Sequence, residues 1–323
     1  MAGYGQKSTV GIIFQDSYGS VGSVNSIHWV PFLSEDFKEE IPDNYSNNIR
    51  GVFDEGDSYE GPRVVNGTLS TEAQPITIGA MLKTVLEETA VVNSDGIYTR
   101  TFKPRTSDFD DVTANNPVTV YAYRDTGSAF LHSDMNGATL ELSIANGELL
   151  TTNVGFVGGG FSQNAATAAS FPAGKRWTWN VASVFYTNSV IGNLADLTIT
   201  LDDGGIEAQH TLNASKYPSR NKRTGFRNIS VSGTFKFDNQ NEYQEFRSKS
   251  ERELTLHLQG VTEIQSGYYE SLTVKLPKLR YEEAAPAVGG PGQIEMGVTA
   301  RGKYSVTSGT ALEITLVNTQ VAY

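Results

Sequence analysis

Cysteine is missing from this 323-residue chain, and with it go disulfides, thiolate nucleophiles and zinc sites built on sulfur. Histidine is scarce and dispersed. His28, His132, His210 and His257 lie far apart, and none has a second histidine or a carboxylate at a metal-ligand spacing. Basic residues are outnumbered, 25 against 36 acidic ones, which leaves a formal net charge of -11. Duplex DNA presents about one negative charge per 1.7 Å of axis, so a chain without a basic stripe has no grip on it. No stretch approaches the ~20 apolar residues of a membrane span. The opening Met1-Ala2-Gly3-Tyr4-Gly5-Gln6-Lys7 also lacks the basic-then-apolar order of a signal peptide, so cytoplasmic synthesis is expected.

Catalytic patterns are wanting too. No Gly-x-Ser-x-Gly elbow occurs, and serine, histidine and aspartate are too scattered to define a triad. Gly79-Ala80-Met81-Leu82-Lys83-Thr84 ends like a phosphate loop, but its one glycine sits inside a helical pattern and cannot form the backbone cradle. The clusters Asp54-Glu55-Gly56-Asp57 and Asp108-Phe109-Asp110-Asp111 miss the order of a calcium loop and read as solvated loops. Neither enzymatic activity nor a cofactor or metal is expected.

What the chain has in quantity is β-branched, aromatic and glycine residues, a composition of strands joined by tight turns. Strands are expected at His28 to Leu33, Val118 to Tyr123, Thr139 to Ala145, Trp177 to Phe185, Asp196 to Leu201, Glu207 to Leu212, Leu254 to Leu258, Leu272 to Leu276, Ile294 to Thr299 and Leu312 to Val317. Asn93-Ser94-Asp95-Gly96 and Asp202-Asp203-Gly204-Gly205 carry hairpin signatures. The apolar and polar residues of the later strands alternate, the pattern of a sheet with one buried and one wet face.

Two strands, ending Gly67-Thr68-Leu69 and Gly233-Thr234-Phe235, lie 166 positions apart, and each is followed by a helical stretch. After the first, Pro75 opens a run with Ile78, Met81, Leu82, Val85 and Leu86 on one face; after the second, Asp238 and Asn239 can cap a helix presenting Tyr243 and Phe246. No other segment reads as helix. The repeat implies a duplicated module. Residues 1–23 read as an N-terminal arm, 24–160 as a first module with a long acidic loop at 34–63, 161–174 as a small-residue linker, and 175–323 as a second module.

The second half also carries a resemblance. Trp177-Thr178-Trp179-Asn180-Val181-Ala182-Ser183, Leu197-Thr198-Ile199-Thr200, Arg223-Thr224-Gly225-Phe226-Arg227 before Val231-Ser232-Gly233-Thr234-Phe235, and Leu276-Pro277-Lys278-Leu279-Arg280-Tyr281-Glu282-Glu283 resemble the tail tube proteins of long-tailed bacteriophages. Tyr243-Gln244-Glu245-Phe246, Leu254-Thr255-Leu256-His257-Leu258-Gln259-Gly260 and the opening Asp16-Ser17-Tyr18-Gly19-Ser20 extend it.

The resemblance implies a mainly β fold of two sandwich or barrel modules, each with a short flanking α-helix, joined side by side into a ring-shaped β-barrel. It implies a structural virion protein, assembled in the host cytoplasm, whose rings stack into a hollow tube that conducts DNA as passing cargo. Rings would be trimers with pseudo-sixfold symmetry if the duplication is real, and hexamers if not. Partners implied are the chain itself, a tape measure protein and the tail terminator and distal tail proteins. A contractile-tail or secretion-type tube shares the module. From strand alternation, Glu141, Ser143, Thr198, Thr200, Thr255, His257, Glu313 and Thr315 are expected to line the channel, and Tyr4, Phe14, Tyr18, Phe37, Tyr45, Phe53 and Tyr59 of the arm and loop to make contacts between subunits or rings. The competing reading is a carbohydrate-binding β-sandwich of a tail fibre or baseplate, with Trp177, Trp179, Phe185 and Tyr186 as a sugar-stacking platform.

Overall fold

A computed structural model describes residues 3–24, 26–107, 117–265, 267–288 and 290–323. The acidic run Asp108 to Asp111 lies outside the described residues. From the N-terminus, β1 (Thr9–Phe14), β2 (His28–Val30), β3 (Ser34–Glu35), β4 (Lys38–Glu40), β5 (Asp43–Tyr45) and β6 (Ser58–Glu60) precede β7 (Val64–Glu72). Helix α1 (Ile78–Val85) leads to the hairpin β8 (Leu86–Ser94) and β9 (Ile97–Pro104), followed by β10 (Val118–Tyr123), β11 (Ala129–Ala145), β12 (Thr151–Gly158) and β13 (Phe161–Asn164). Then come β14 (Ala182–Tyr186), β15 (Ser189–Val190), β16 (Leu194–Asp202), β17 (Ile206–Gln209), β18 (Arg220–Arg223) and β19 (Asn228–Lys236). Helix α2 (Asn241–Ser248), β20 (Arg252–Gln265), β21 (Tyr268–Ala287), β22 (Glu295–Gly302) and β23 (Glu313–Asn318) complete the order. The fold is mainly β; among the described residues there are two α-helices and no sheet that closes on itself.

Pairing groups the strands into two broad antiparallel layers. The first runs β4, β7, β12, β11, β16, β19, β22 and the C-terminal half of β21, with β3 continuing β4 along the edge of β7. The second runs β14, β20, the N-terminal half of β21, β23, β9 and β8. Leu140, Leu142, Leu197, Ile199, Val231 and Val298 of the first layer share one core with Leu254, Leu256, Leu272, Val274, Ile314 and Leu316 of the second. Alternation makes this possible, because period-2 strands send every apolar residue inward. A third, smaller sheet of β2, β1, β10, the N-terminal half of β11 and β13 covers one side, with its own cluster around Ile13, Trp29, Tyr121 and Leu131.

The repeat is visible in the topology: β7, α1, β8 and β9 recur as β19, α2, β20 and β21, and both helices have eight residues. Register extends the match. Lys38 faces Asn66 as Thr198 faces Ser232, and Gly155 faces Thr68 as Gly297 faces Thr234. The β3 to β4 edge therefore occupies in the first half the place of β16 in the second. Both repeat glycines are explained by crowding. A Cβ on Gly67 would lie 2.6 Å from Phe37 Cα, and one on Gly233 would lie 2.6 Å from the Asp196 carbonyl.

Several expectations change. The arm expected over 1–23 contains β1, which pairs along its whole length with β10 and buries Val10, Ile12 and Ile13. The loop expected over 34–63 contains β3 and β4 on the edge of β7, and the hairpin of β5 and β6. The linker expected over 161–174 begins with β13, paired to β11. Trp177 to Phe185 is strand only from Ala182, because Trp179–Val181 forms a 3-10 turn. No hairpin forms across Gly204-Gly205. Both edges of β16 are taken by β11 and β19, and the two glycines, with φ of 86° and 64°, turn the chain away so that β17 pairs with β18 instead. Leu86 leaves the helix and opens β8.

Gly67→Ala and Gly233→Ala should each lower stability by about 1–3 kcal/mol, because the added methyl has no space. Gly297→Ala, which meets nothing within 4 Å, is the control and should change the urea midpoint little.

Candidate channel wall and assembly edges

The outer face of the first layer is a polar wall shared by both halves of the chain. One row across it reads Ser70, Asn153, Glu141, Thr200, Ser230 and Arg301; the next reads Glu72, Thr151, Ser143, Thr198, Ser232, Thr299 and Glu283. Side chains join along these rows: Asn153 Nδ2 donates to Glu141 Oε1 at 2.8 Å, and the Ser143 and Thr198 hydroxyls meet at 2.9 Å. Strand alternation could have pointed to Thr151 to Gly158, whose wet positions lie beside Glu141 and Ser143, but sequence reasoning passed over it.

The eight expected channel residues do not share a surface. Glu141, Ser143, Thr198 and Thr200 lie on this wall. Thr255, His257, Glu313 and Thr315 lie on the outer face of the second layer, across the core from the first four. Alternation marks which side of a strand is wet and leaves open which of two sheets the strand joins, so the list merged two faces. The second face carries cross-strand ion pairs, Lys103 with Glu313 at 3.0 Å and Lys275 with Glu253 at 2.9 Å, and His257 Nδ1 lies 2.9 Å from the Thr273 hydroxyl.

The seven expected contact residues also divide. Tyr4, Tyr45, Phe53 and Tyr59 are exposed, the last three on or between β5 and β6, together with Ile49 and Val52. Phe14 is half-buried, with its ring edge-on to His28 at 5.6 Å. Tyr18 donates to Asn136 Oδ1 at 2.7 Å, and burial pushes its phenol up to about 12. Phe37, 2% exposed, is removed from the contact set: its ring packs inside the protomer against His132 and Phe156. The sugar platform likewise loses a member, since Trp177 is a core residue at 2% exposure while Trp179 faces solvent.

A buried polar knot fastens the junction of the halves. The Asp203 carboxylate accepts from Arg223 Nη2 at 2.8 Å and Arg227 Nε at 2.5 Å, and Arg227 also donates to the Arg105 carbonyl. Arg105 in turn donates to the carbonyls of Lys83 and Thr84 at the end of α1, where a cation complements the helix terminus. Burial pulls the Arg105 guanidinium down to about 10. No group of three or more histidine and carboxylate side chains is placed to hold a metal among the described residues.

Two antiparallel layers built from a repeated strand, helix and hairpin unit, with polar outer faces and unpaired edges, define the class of this protein. The chain belongs to the phage tail tube protein family, whose sequence profile matches residues 5–311. Membership makes it a structural protein of the virion tail that self-assembles into the tube. No curated protein matches the sequence.

Two ionisable groups beside the third sheet oppose each other in their effect on stability. His132 is stacked on Phe37 and Phe130 and tilted against Phe161, both ring nitrogens lack a hydrogen-bond partner, and burial holds its pKa down to about 4 from 6.5. Between those values the unfolded chain binds more protons, so this group removes stability as the pH falls. Burial pushes Asp134 up to about 6 from 3.8, with the Gly19 N–H bond working the other way, so over that window the folded chain binds more protons and this group adds stability as the pH falls. His132→Phe should therefore gain stability relative to the parent as the pH drops from 6.5 to about 4, and Asp134→Asn should lose it between about 6 and 3.8, both read from urea midpoints across that range. Asparagine tolerates the φ of 58° at position 134.

Proposed function

We propose that three copies close into a ring with pseudo-sixfold symmetry, and that stacked rings form a hollow conduit for DNA from capsid to host cell. The observation that carries this is the pairing of β11 with β16, which joins the two halves of one chain edge to edge and makes their wet faces a single wall. Each half contributes four strands to that wall: β4, β7, β12 and β11 from the first, and β16, β19, β22 and β21 from the second. Three chains then supply 24 strands. Spaced about 4.8 Å apart, these enclose a wall roughly 37 Å across the backbone before strand tilt widens it.

The outer face of the first layer is the lumen. It is lined by hydroxyls, amides and glycines, with Glu141, Asp196 and Glu283 among its charges and Arg301 as a counterweight. Acidic groups hold a polyanion off over about one Debye length, roughly 8 Å, so DNA passes without being gripped. The opposite face, with Lys103 and Lys275, turns outward. The exposed aromatic residues of the β5 to β6 segment, with Tyr4, reach toward the next ring, where stacking repeats head to tail and extends without closing. A tape measure protein occupies the lumen during assembly, and tail terminator and distal tail proteins meet the ends, in the host cytoplasm.

Electron microscopy of the concentrated protein, with end-on averages and a ring mass, tests the reading. Three chains per hollow ring are expected; six per ring would refute the pairing of halves within one ring, and a protein monomeric at every concentration would refute the tube. Glu141→Lys should leave tubes of normal diameter yet impair DNA delivery by the particles, whereas Glu313→Lys, on the opposite face, should leave delivery intact. Equal effects of the two substitutions would overturn the assignment of the lumen.

A further inference from the structure

The joint inside the chain is a template for the joint between chains. Following register outward from the repeat strands, Leu140, Glu141 and Leu142 of β11 correspond to Pro286, Ala287 and Val288, while Leu201, Thr200 and Ile199 of β16 correspond to Ile41, Glu40 and Glu39. Inside the chain Leu140 faces Leu201, Glu141 faces Thr200 and Leu142 faces Ile199. Resting on the ring reading above, we infer that Ala285 to Val288 pairs antiparallel with Glu39 to Pro42 of a second copy, with Ala287 opposite Glu40.

Two observations carry the assignment. The first is that both segments are open edges. β21 pairs with β22 on one side from Leu279 to Ala287, and β4 pairs with β7 on one side from Lys38 to Glu40. The Asp36 N–H bonds the Thr68 carbonyl, so alternation aims the backbone groups of Phe37, Glu39 and Ile41 outward. Those of Phe37 are already covered, its N–H by Glu35 Oε2 at 3.1 Å and its carbonyl by Arg124 Nη2 at 2.8 Å. The ladder thus begins at Glu39.

The second observation is misplaced apolar surface. Ile41 and Val288 occupy places whose internal counterparts, Leu201 and Leu142, are at most 2% exposed, yet they are 48% and 75% exposed in the single chain. Docking the edges would carry both toward the continuous core, where burial of each side chain is favourable. Pro286 limits the ladder rather than supporting it. A proline within a sheet belongs where its missing N–H faces no established partner, and the alternation of the internal joint directs that position to the open edge. It leaves the Pro286 to Ile41 pair one bond, from the Ile41 N–H to the Pro286 carbonyl.

The absence of cysteine makes the register testable. Ala287→Cys combined with Glu40→Cys replaces two exposed residues, and mild oxidation of assembled protein should link chains covalently, with the ladder on a non-reducing gel ending at three. Ala287→Cys with Lys38→Cys, displaced by two residues, should link far less. Rings that form but link through the displaced pair, or through neither, overturn this pairing while leaving the ring intact; failure of the parent protein to form rings overturns the ring reading itself. Should the cysteine variants not assemble under reducing conditions, Val288→Asp decides: it should abolish rings while leaving the thermal midpoint of the unassembled protein unchanged, and normal rings from that variant would refute the edge assignment.

Discussion

The main-chain ladder between β11 and β16 is the constraint on which the rest of this subunit depends. Seven facing pairs, from Thr139 with Asp202 to Ala145 with Asp196, weld the edge of one half to the edge of the other. Backbone hydrogen bonds have no side-chain preference, so a ladder of this kind lets the two halves share one sheet while their side chains differ. Once it forms, the alternation of each strand is locked to that of its neighbours, and a slip of one residue in either half would turn Leu140, Leu142 and Ile144 into the wet face. The polar wall and the apolar core are two consequences of the same register.

Long strands that change sheets make the two-layer arrangement possible. β11 pairs with β10 and β13 in its N-terminal half and with β12 and β16 in its C-terminal half, and its register against β12 shifts between Gly137 and Thr139. β21 does the same between β23 and β22, with a shift between Tyr281 and Glu283 against β22. An extra residue bends a strand and sharpens its twist, which lets one strand serve two layers without a loop. Gly137 also sits against the end of α1, where a Cβ would come 2.5 Å from Val85 Cγ2, so the crossing and the helix packing are tied to one small residue.

The halves differ most in how their helices are used. Seven of the eight α1 residues are buried, and a Cβ on Gly79 would fall 2.2 Å from the Tyr323 ring, which shows how closely the C-terminus closes over it. Only Glu242 is buried in α2, whose Tyr243 and Phe246 rest against the core while the rest meets solvent. The third sheet accounts for the contrast, since β1 and β10 cover one side of the first half and have no counterpart in the second among the described residues. The Asp203, Arg223 and Arg227 knot and the Arg105 cap satisfy polar groups buried at the junction of the halves.

Much of this was legible in the residues. Alternation located β10 residue for residue and β16, β22 and β23 within a few positions, while β11, β20 and β21 run well past the expected ends; the two helices appeared where Ile78 to Val85 and Tyr243 to Phe246 placed them, and Gly67 and Gly233 marked the repeat. Those features are local: a strand's wet side, a helix face and a glycine's freedom are set by near neighbours along the chain. Partnership is not local. Nothing in Glu207 to Leu212 says that the neighbouring β16 is already paired on both edges, and nothing in Phe37 says that Gly67 leaves room for it to enter the core. The sequence by itself determined that the chain is an acidic, cysteine-free β protein with alternating faces. Only the tertiary structure decided which of those faces belong together, because sheet membership follows from backbone bonds between residues distant in sequence, and those bonds carry no residue code.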